Sequence, residues 1–264
     1  MSHSIANALP GQASAPDQIG VLADRWIYVF MSALFVTTAL TGFIPDSFLR
    51  VAAIEAGKRP PFAMIVHVHA VVMGSWLLLL LAQSYLQATG QRALHRQLGI
   101  ASLALMVAVP IAMIAMVINA WSPVLSSTPA PPDRVHALSN ILLFQIRSFV
   151  LFTVFTTWAL LVRKSDPDSH RRLWLLAAVA VMSAALARIT WLPRTQPTSP
   201  LSLHVFTLLL LSPPLILDIV RRGRVHRTYI IGLILLLSAF AITHLLWSEE
   251  AWRAFAVRTM SNLL

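Results

Sequence analysis

Seven apolar runs, each of roughly 20 residues or more, constrain this chain most, because that is the length needed to cross a bilayer core of about 30 Å. They are Trp26–Ile44, Phe62–Ala88, Leu98–Ala120, Leu138–Val162, Leu173–Leu192, Leu201–Val220 and Tyr229–Trp247. Lipid cannot satisfy free backbone groups, so such runs must be helices or strands of a closed barrel. Barrel strands alternate in polarity over about 10 residues. Leu77–Ala82 and Leu233–Leu237 do not alternate. The expected fold is therefore all-α, a polytopic membrane protein with seven transmembrane helices arranged as one helix followed by three hairpins. Only 11% of residues are charged. A soluble domain carries about 25%, and solvation by lipid explains the deficit.

Outside the runs, residues 1–24 are polar, include Pro10 and Pro16, and lack an apolar h-region. They read as a flexible cytoplasmic tail rather than a signal peptide. Residues 25–247 form the membrane domain. Residues 248–264 combine Trp252, Phe255 and Leu263 with Arg253 and Arg258. They read as a short amphipathic outer-side tail, either an interfacial helix or a frayed end. The segment Trp121–Ala137, with four prolines, and the segment Pro193–Pro200, with three, are expected to be stiff outer connectors. Pro110 and the pair Pro213-Pro214 are expected to kink their helices.

The net charge of +10 invites a nucleic-acid reading, but its placement opposes one. Eighteen of the twenty basic residues lie in tails, loops and helix ends, the topogenic pattern of a membrane protein. Eleven fall on one side of the seven spans, among them Arg92, Arg96, Arg163, Lys164, Arg171, Arg172, Arg221 and Arg222, and seven on the other. The positive-inside rule puts the richer side in the cytoplasm, with the N-terminus inside and the C-terminus outside. The expected location is a bacterial inner membrane, crossed several times. Three cytoplasmic helix starts are alike: His95-Arg96-Gln97-Leu98, His170-Arg171-Arg172-Leu173 and His226-Arg227-Thr228-Tyr229. Cations at a helix N-terminus oppose the helix dipole. Attraction to anionic lipid of the inner leaflet, at about 1 kcal/mol per basic residue, accounts for them instead.

Ionisable groups inside the runs are costly and mark a candidate site. His67, His69, Arg147, Arg188, His204 and His244 all fall in the outer half of the bilayer. His67 and His69 project about 200° apart on one helix, so they cannot readily share a metal. His69 shares a stripe with Trp76 and Gln83 and is the expected inward residue. Arg147 lies about 15 Å deep, near the mid-plane, with Asn140 on the same face. Of the ten acids only Asp218 lies within a run, at its cytoplasmic end, where a local pair with Arg221 or Arg222 is the ordinary expectation. Arg147 therefore needs backbone carbonyls, water or an anionic group brought by a ligand.

The missing carboxylates argue against a proton pump, a cation antiporter and a di-iron bundle. Lys58 and Lys164, the only lysines, are in loops, which argues against a retinal Schiff base. There is no cysteine for thiolate ligands or nucleophilic catalysis. No acid–base pair has a recognisable spacing, so no catalysis is asserted. What remains is imidazole with guanidinium. Imidazole suits haem iron, zinc, copper or non-haem iron, and guanidinium suits carboxylates and phosphates. The first reading is a site holding haem b or a transition metal through His69 and one of His67, His204 or His244, with Arg147 and Arg188 on propionates or an anionic substrate. The second is a transporter or receptor-like binder of a small anionic or amphipathic molecule, with Arg147 as anchor. The third is a structural subunit of a membrane complex.

The segments Phe48-Leu49-Arg50, His67-Val68-His69 with Trp76 to Leu79 and Gln83, Leu94-His95-Arg96-Gln97-Leu98-Gly99, His170-Arg171-Arg172-Leu173, Gly223-Arg224-Val225-His226 and Trp252-Arg253-Ala254-Phe255-Ala256 together carry a resemblance. The chain after Asp24 is similar to a family of bacterial seven-helix membrane proteins to which no activity is assigned. That resemblance implies the fold and no function. More distantly the chain resembles cytochrome-b-type bundles, but it lacks a second histidine pair at matching depth on the cytoplasmic side.

Overall fold

A computed structural model describes residues 18–264, with side chains from Gly20 onward, and all the regular structure among the described residues is helical. The helices are α1 (Gln18–Glu55), α2 (Met64–Ala88), α3 (Arg92–Leu125), α4 (Pro132–Val162), α5 (Pro167–Val181), α6 (Ser183–Leu186), α7 (Leu201–Arg222), α8 (Arg227–Leu245) and α9 (Glu250–Leu263). Six of them, α1 to α4, α7 and α8, are long and apolar enough to cross a membrane. This is the architecture of a multi-pass integral membrane protein. The expected tail of residues 1–24 lies outside the described residues up to 17, and its remainder, from Gln18, forms about the first two turns of α1.

The expected fifth span, Leu173–Leu192, takes a different form. α5 has 15 residues, about 22 Å of rise, and the helix breaks at Met182. One further turn, α6, follows, and the rest of the expected span is loop. α5 is too short to span alone, and it is surrounded. It packs on α1, α4, α7 and α8, and Leu173 to Ala180 includes no more than marginally exposed residues apart from Trp174. The alanines Ala177, Ala178 and Ala180 let neighbouring backbones approach. Gly232 of α8 faces the Leu176 side chain so closely that an added Cβ would collide with it. The outer helices behave oppositely. Within the most apolar window, 11% of α2 and 17% of α3 is buried inside the protein, against 56% of α4. α4 and α5 are thus the core, and α2 and α3 present Val71, Leu78, Ile100 and Val107 outward, as lipid-facing helices do.

The helices run through their prolines. α1 continues through Pro45 to Glu55, and α3 continues through Pro110 and Pro123 to Leu125. The outer connector expected over Trp121–Ala137 shrinks to residues 126–131. α7 runs through Pro213 and Pro214. Pro213 has no N–H for the Leu209 carbonyl four residues back, and the Ser212 hydroxyl donates to that carbonyl instead at 2.8 Å. The end of the chain is an ordered helix. Ala256 and Met260 of α9 are buried with Trp121, Val124, Leu138 and Leu142, and Trp252 Nε1 donates to the Ser139 carbonyl at 2.9 Å. Ser248, in the turn before α9, takes a left-handed φ of 66°. Asn140 holds it there, since its Oδ1 accepts the Ser248 N–H at 3.0 Å.

The end of the bundle where α5 and α8 begin is a polar lattice. Arg172, expected in a cytoplasmic loop, is buried in α5 and donates to Asp218 of α7 at 2.8 Å, both side chains at most 6% exposed. Asp218 is therefore not merely a local partner of Arg222, whose Nη1 stands 3.5 Å away. It also accepts the His226 N–H at 3.1 Å, at the start of α8. Asp166 caps α5 by accepting the Ser169 N–H at 3.0 Å, and Arg227 joins it at 2.9 Å. The Ser169 hydroxyl and N–H, then Arg227, hold the Asp166 carboxyl well below the usual carboxylate range. The repeated histidines have local work. His95 Nδ1 donates back to the Gln83 carbonyl of α2 at 3.3 Å, and His170 Nδ1 to the Ala159 carbonyl of α4 at 2.8 Å. Each pins a hairpin by meeting a carbonyl near the end of the preceding helix. His226 departs from this pattern, because its Nδ1 accepts the Thr228 N–H at 3.3 Å.

Two outcomes follow from this lattice. Arg172→Met leaves the Asp218 carboxylate buried without its main cation and should cost about 3–5 kcal/mol in thermal or denaturant unfolding in detergent. Adding Asp218→Leu should recover part of that loss, and a double variant no better than the single one would contradict the pair's role. The second outcome concerns pH. Burial pushes the His170 imidazole below its ordinary value, against the opposing pull of the Ala159 carbonyl. Folding thus favours the neutral ring, and this stability is fully present above the unfolded value of 6.5 and lost as pH falls below it. The melting temperature should drop between about pH 7 and pH 5, and His170→Asn should flatten that drop. An unchanged slope in the variant would assign the pH response elsewhere.

Candidate functional site

Arg147 stands on α4 where α5 breaks. The Ser148 hydroxyl donates to the Ala180 carbonyl at 2.8 Å, in the last turn of α5. One residue earlier, Arg147 Nη2 donates to Ser183 Oγ at 3.0 Å, the first residue of α6. The break in the helix therefore creates both a free carbonyl and a hydroxyl facing α4. The guanidinium lies between two aromatic rings, its Cζ 4.7 Å from the centroid of Phe144 and 4.9 Å from that of Phe240. Phe144 is three residues before Arg147 and shares its face, while α8 supplies Phe240. His204 of α7 stacks flat on the other ring partner, 4.2 Å from Phe240 with an interplanar angle of 1°. Trp247 closes against Phe144 at 5.4 Å.

The electrostatics of this group are unbalanced. Arg147 is 5% exposed, and no carboxylate pairs with it among the described residues. Its Nε and Nη1 have no hydrogen-bond partner, nor has Nε2 of His204. Two cation–π contacts contribute about 0.5–2 kcal/mol each, and the serine adds about 1 kcal/mol. The desolvation of a guanidinium is still several kcal/mol. The protein thus offsets only part of that cost and leaves two donor directions open.

The other expected site residues fall in different places. His69 is half-buried between α2 and α3, beside the Ala112 backbone, with its Nδ1 unpartnered. It is the more inward of its pair, as the heptad stripe indicates. His67 is exposed and meets Phe62 edge-on at 5.9 Å. Neither touches Arg147 or His204. His244 is exposed in the last turn of α8, within electrostatic reach of His204. Among the described residues no three His, Cys, Asp or Glu side chains form a group able to hold a metal ion, so His69, His204 and His244 do not converge.

Arg188 has a carboxylate after all. Its Nε donates to Asp46 Oδ2 at 3.1 Å, its Nη1 donates to the Ala184 carbonyl at 2.6 Å, and its Cζ lies 4.6 Å over Phe43. Arg50 Nε reaches the same Asp46 oxygen at 2.7 Å. The sequence reading ended the first span at Ile44 and placed Asp46 in a loop. The continuation of α1 carries Asp46 past α6 to Arg188, and Gly42 lets the Ala185 carbonyl approach closer than any Cβ would allow. The i,i+4 spacing of Asp46 and Arg50 was the available signal that this stretch is helical. Ser183 and Phe240 had no comparable signal, because their role depends on where α5 stops. No family model, curated protein or solved structure matches the chain.

Proposed function

We propose that this integral membrane protein binds a small anionic molecule with an apolar body, a monocarboxylate being the simplest form, and that Arg147 is its anchor. One observation carries the reading: a buried guanidinium in an aromatic sandwich with two unmet donor directions and no carboxylate partner. Nε and Nη1 lie on different edges of the guanidinium, and a planar carboxylate can take either of them alongside the second hydrogen of Nη2, while the rings of Phe144, Phe240 and Trp247 suit an apolar body. His204 supplies a further polar contact through Nε2. Such a site serves a transporter or receptor-like binder. The haem or His-ligated metal expected from the sequence has weaker support, because His69 stands apart from His204 and because Arg188 is engaged by Asp46.

Melting of the purified protein in neutral detergent, with acetate and benzoate titrated at constant ionic strength, tests this reading. Wild-type protein should be stabilised by benzoate more than by acetate, with a shift that grows with concentration by mass action. Arg147→Gln should abolish the shift. No shift in a folded wild-type sample, or an equal shift in the variant, would remove the anchor role. A Soret band or a stoichiometric metal in protein from haem- and metal-replete cells would decide for the cofactor reading.

The orientation belongs to the same proposal: an outer-half site in a bacterial inner membrane, with the loop at residues 163–166 cytoplasmic. The absence of cysteine makes the labelling experiment clean. Single cysteines at Ser165 and Ser199 should react with an impermeant thiol reagent in intact cells only at position 199. Labelling at 165 alone would invert the topology.

A further inference from the structure

A second anion-binding feature lies apart from Arg147, where the outer end of α1 meets the segment after α6. A cavity of about 350 Å³ there is lined by Arg50, Arg188, Arg194 and Asp46, with Leu49 and Thr190. Three guanidinium groups face one carboxylate. Asp46 is already saturated on one oxygen, since Oδ2 accepts from both Arg50 Nε and Arg188 Nε. That leaves two positive charges in excess around the space. Arg194 is exposed and has no ion-pair or hydrogen-bond partner among the described residues, and the terminal nitrogens of Arg50 are likewise unengaged.

We propose that this cavity binds a phosphoryl group, carried either by an anionic phospholipid headgroup or by a free phosphate. A carboxylate offers two oxygens in one plane, and Asp46 already fills that role between Arg50 and Arg188. A tetrahedral phosphoryl group offers oxygens in several directions, which matches guanidinium groups arriving from three separate points of the chain. The surroundings suit the headgroup form. Phe48 and Leu49 on α1 are 71% and 67% exposed, and Trp191 beside Thr190 is 73% exposed, giving an apolar rim with an aromatic residue of the kind that sits at a membrane interface. Arg188 is held by Asp46, the Ala184 carbonyl and Phe43, so it is a fixed wall. Arg50 and Arg194 are the groups free to close on the ligand. The proposal does not rest on the Arg147 site.

Melting of detergent-purified protein tests it with two probes, inorganic phosphate at constant ionic strength and dioctanoyl phosphatidylglycerol. A dioctanoyl phosphatidylcholine arm controls for acyl chains. Wild-type protein should be stabilised by phosphate if the free ion suffices, or by phosphatidylglycerol alone if the headgroup is the ligand. In either case Arg194→Gln and Arg50→Gln should each weaken the apparent affinity about tenfold, the loss of one charge-assisted contact. Both leave the Asp46–Arg188 pair intact, and Arg194 is exposed, so folding is not at stake. Arg147→Gln should respond like wild type, which separates this site from the proposed monocarboxylate site. The proposal fails if neither probe stabilises the protein, if phosphatidylcholine acts as well as phosphatidylglycerol, or if both variants respond like wild type.

Discussion

The burial of α5 is the constraint on which the rest of the structure depends. A short helix placed among α1, α4, α7 and α8 has no contact with lipid to satisfy, so it can be built from small residues and can stop midway. Its two ends then require polar partners. At its start, Arg172 meets Asp218 while Asp166 caps the first turn. At its end, Ser148 takes the Ala180 carbonyl and Arg147 takes Ser183. The candidate site is thus a consequence of where the central helix terminates.

The two ends differ in how completely they are satisfied. The Arg172–Asp218 pair has a short ion pair, a second donor from the His226 backbone and a carbonyl from Asp168 on Arg172. A buried pair of this kind is tolerated when every remaining donor and acceptor is met. Arg147 has one serine and two rings, and two donor directions stay empty. The contrast between the two ends of α5 is what supports a structural role for Arg172 and the proposed binding role for Arg147.

The sequence reading was good where hydropathy alone decides and weak where packing decides. The apolar runs located six helices long and apolar enough to span, and Arg147, singled out by its place in the fourth run, is buried. Arg172 was misread as a loop cation because its neighbours His170 and Arg171 are polar and its partner is 46 residues away. Asp46 falls outside the first apolar run, which ends at Ile44, whereas α1 continues to Glu55. The histidine group divided because depth is a single coordinate. His69 and His204 share a layer, but α2 lies at the rim of the bundle and α7 lies against its core.

The central claim is that the charge of Arg147 is met by something the chain does not supply. A high-resolution cryo-electron microscopy map of the protein extracted with native lipid tests this most directly. The account predicts non-protein density within hydrogen-bonding distance of Arg147 Nε or Nη1, beside Phe144 and Phe240. Backbone carbonyls turned onto those two nitrogens, with no density beside them, would contradict it and make Arg147 a structural tie between α4 and α6.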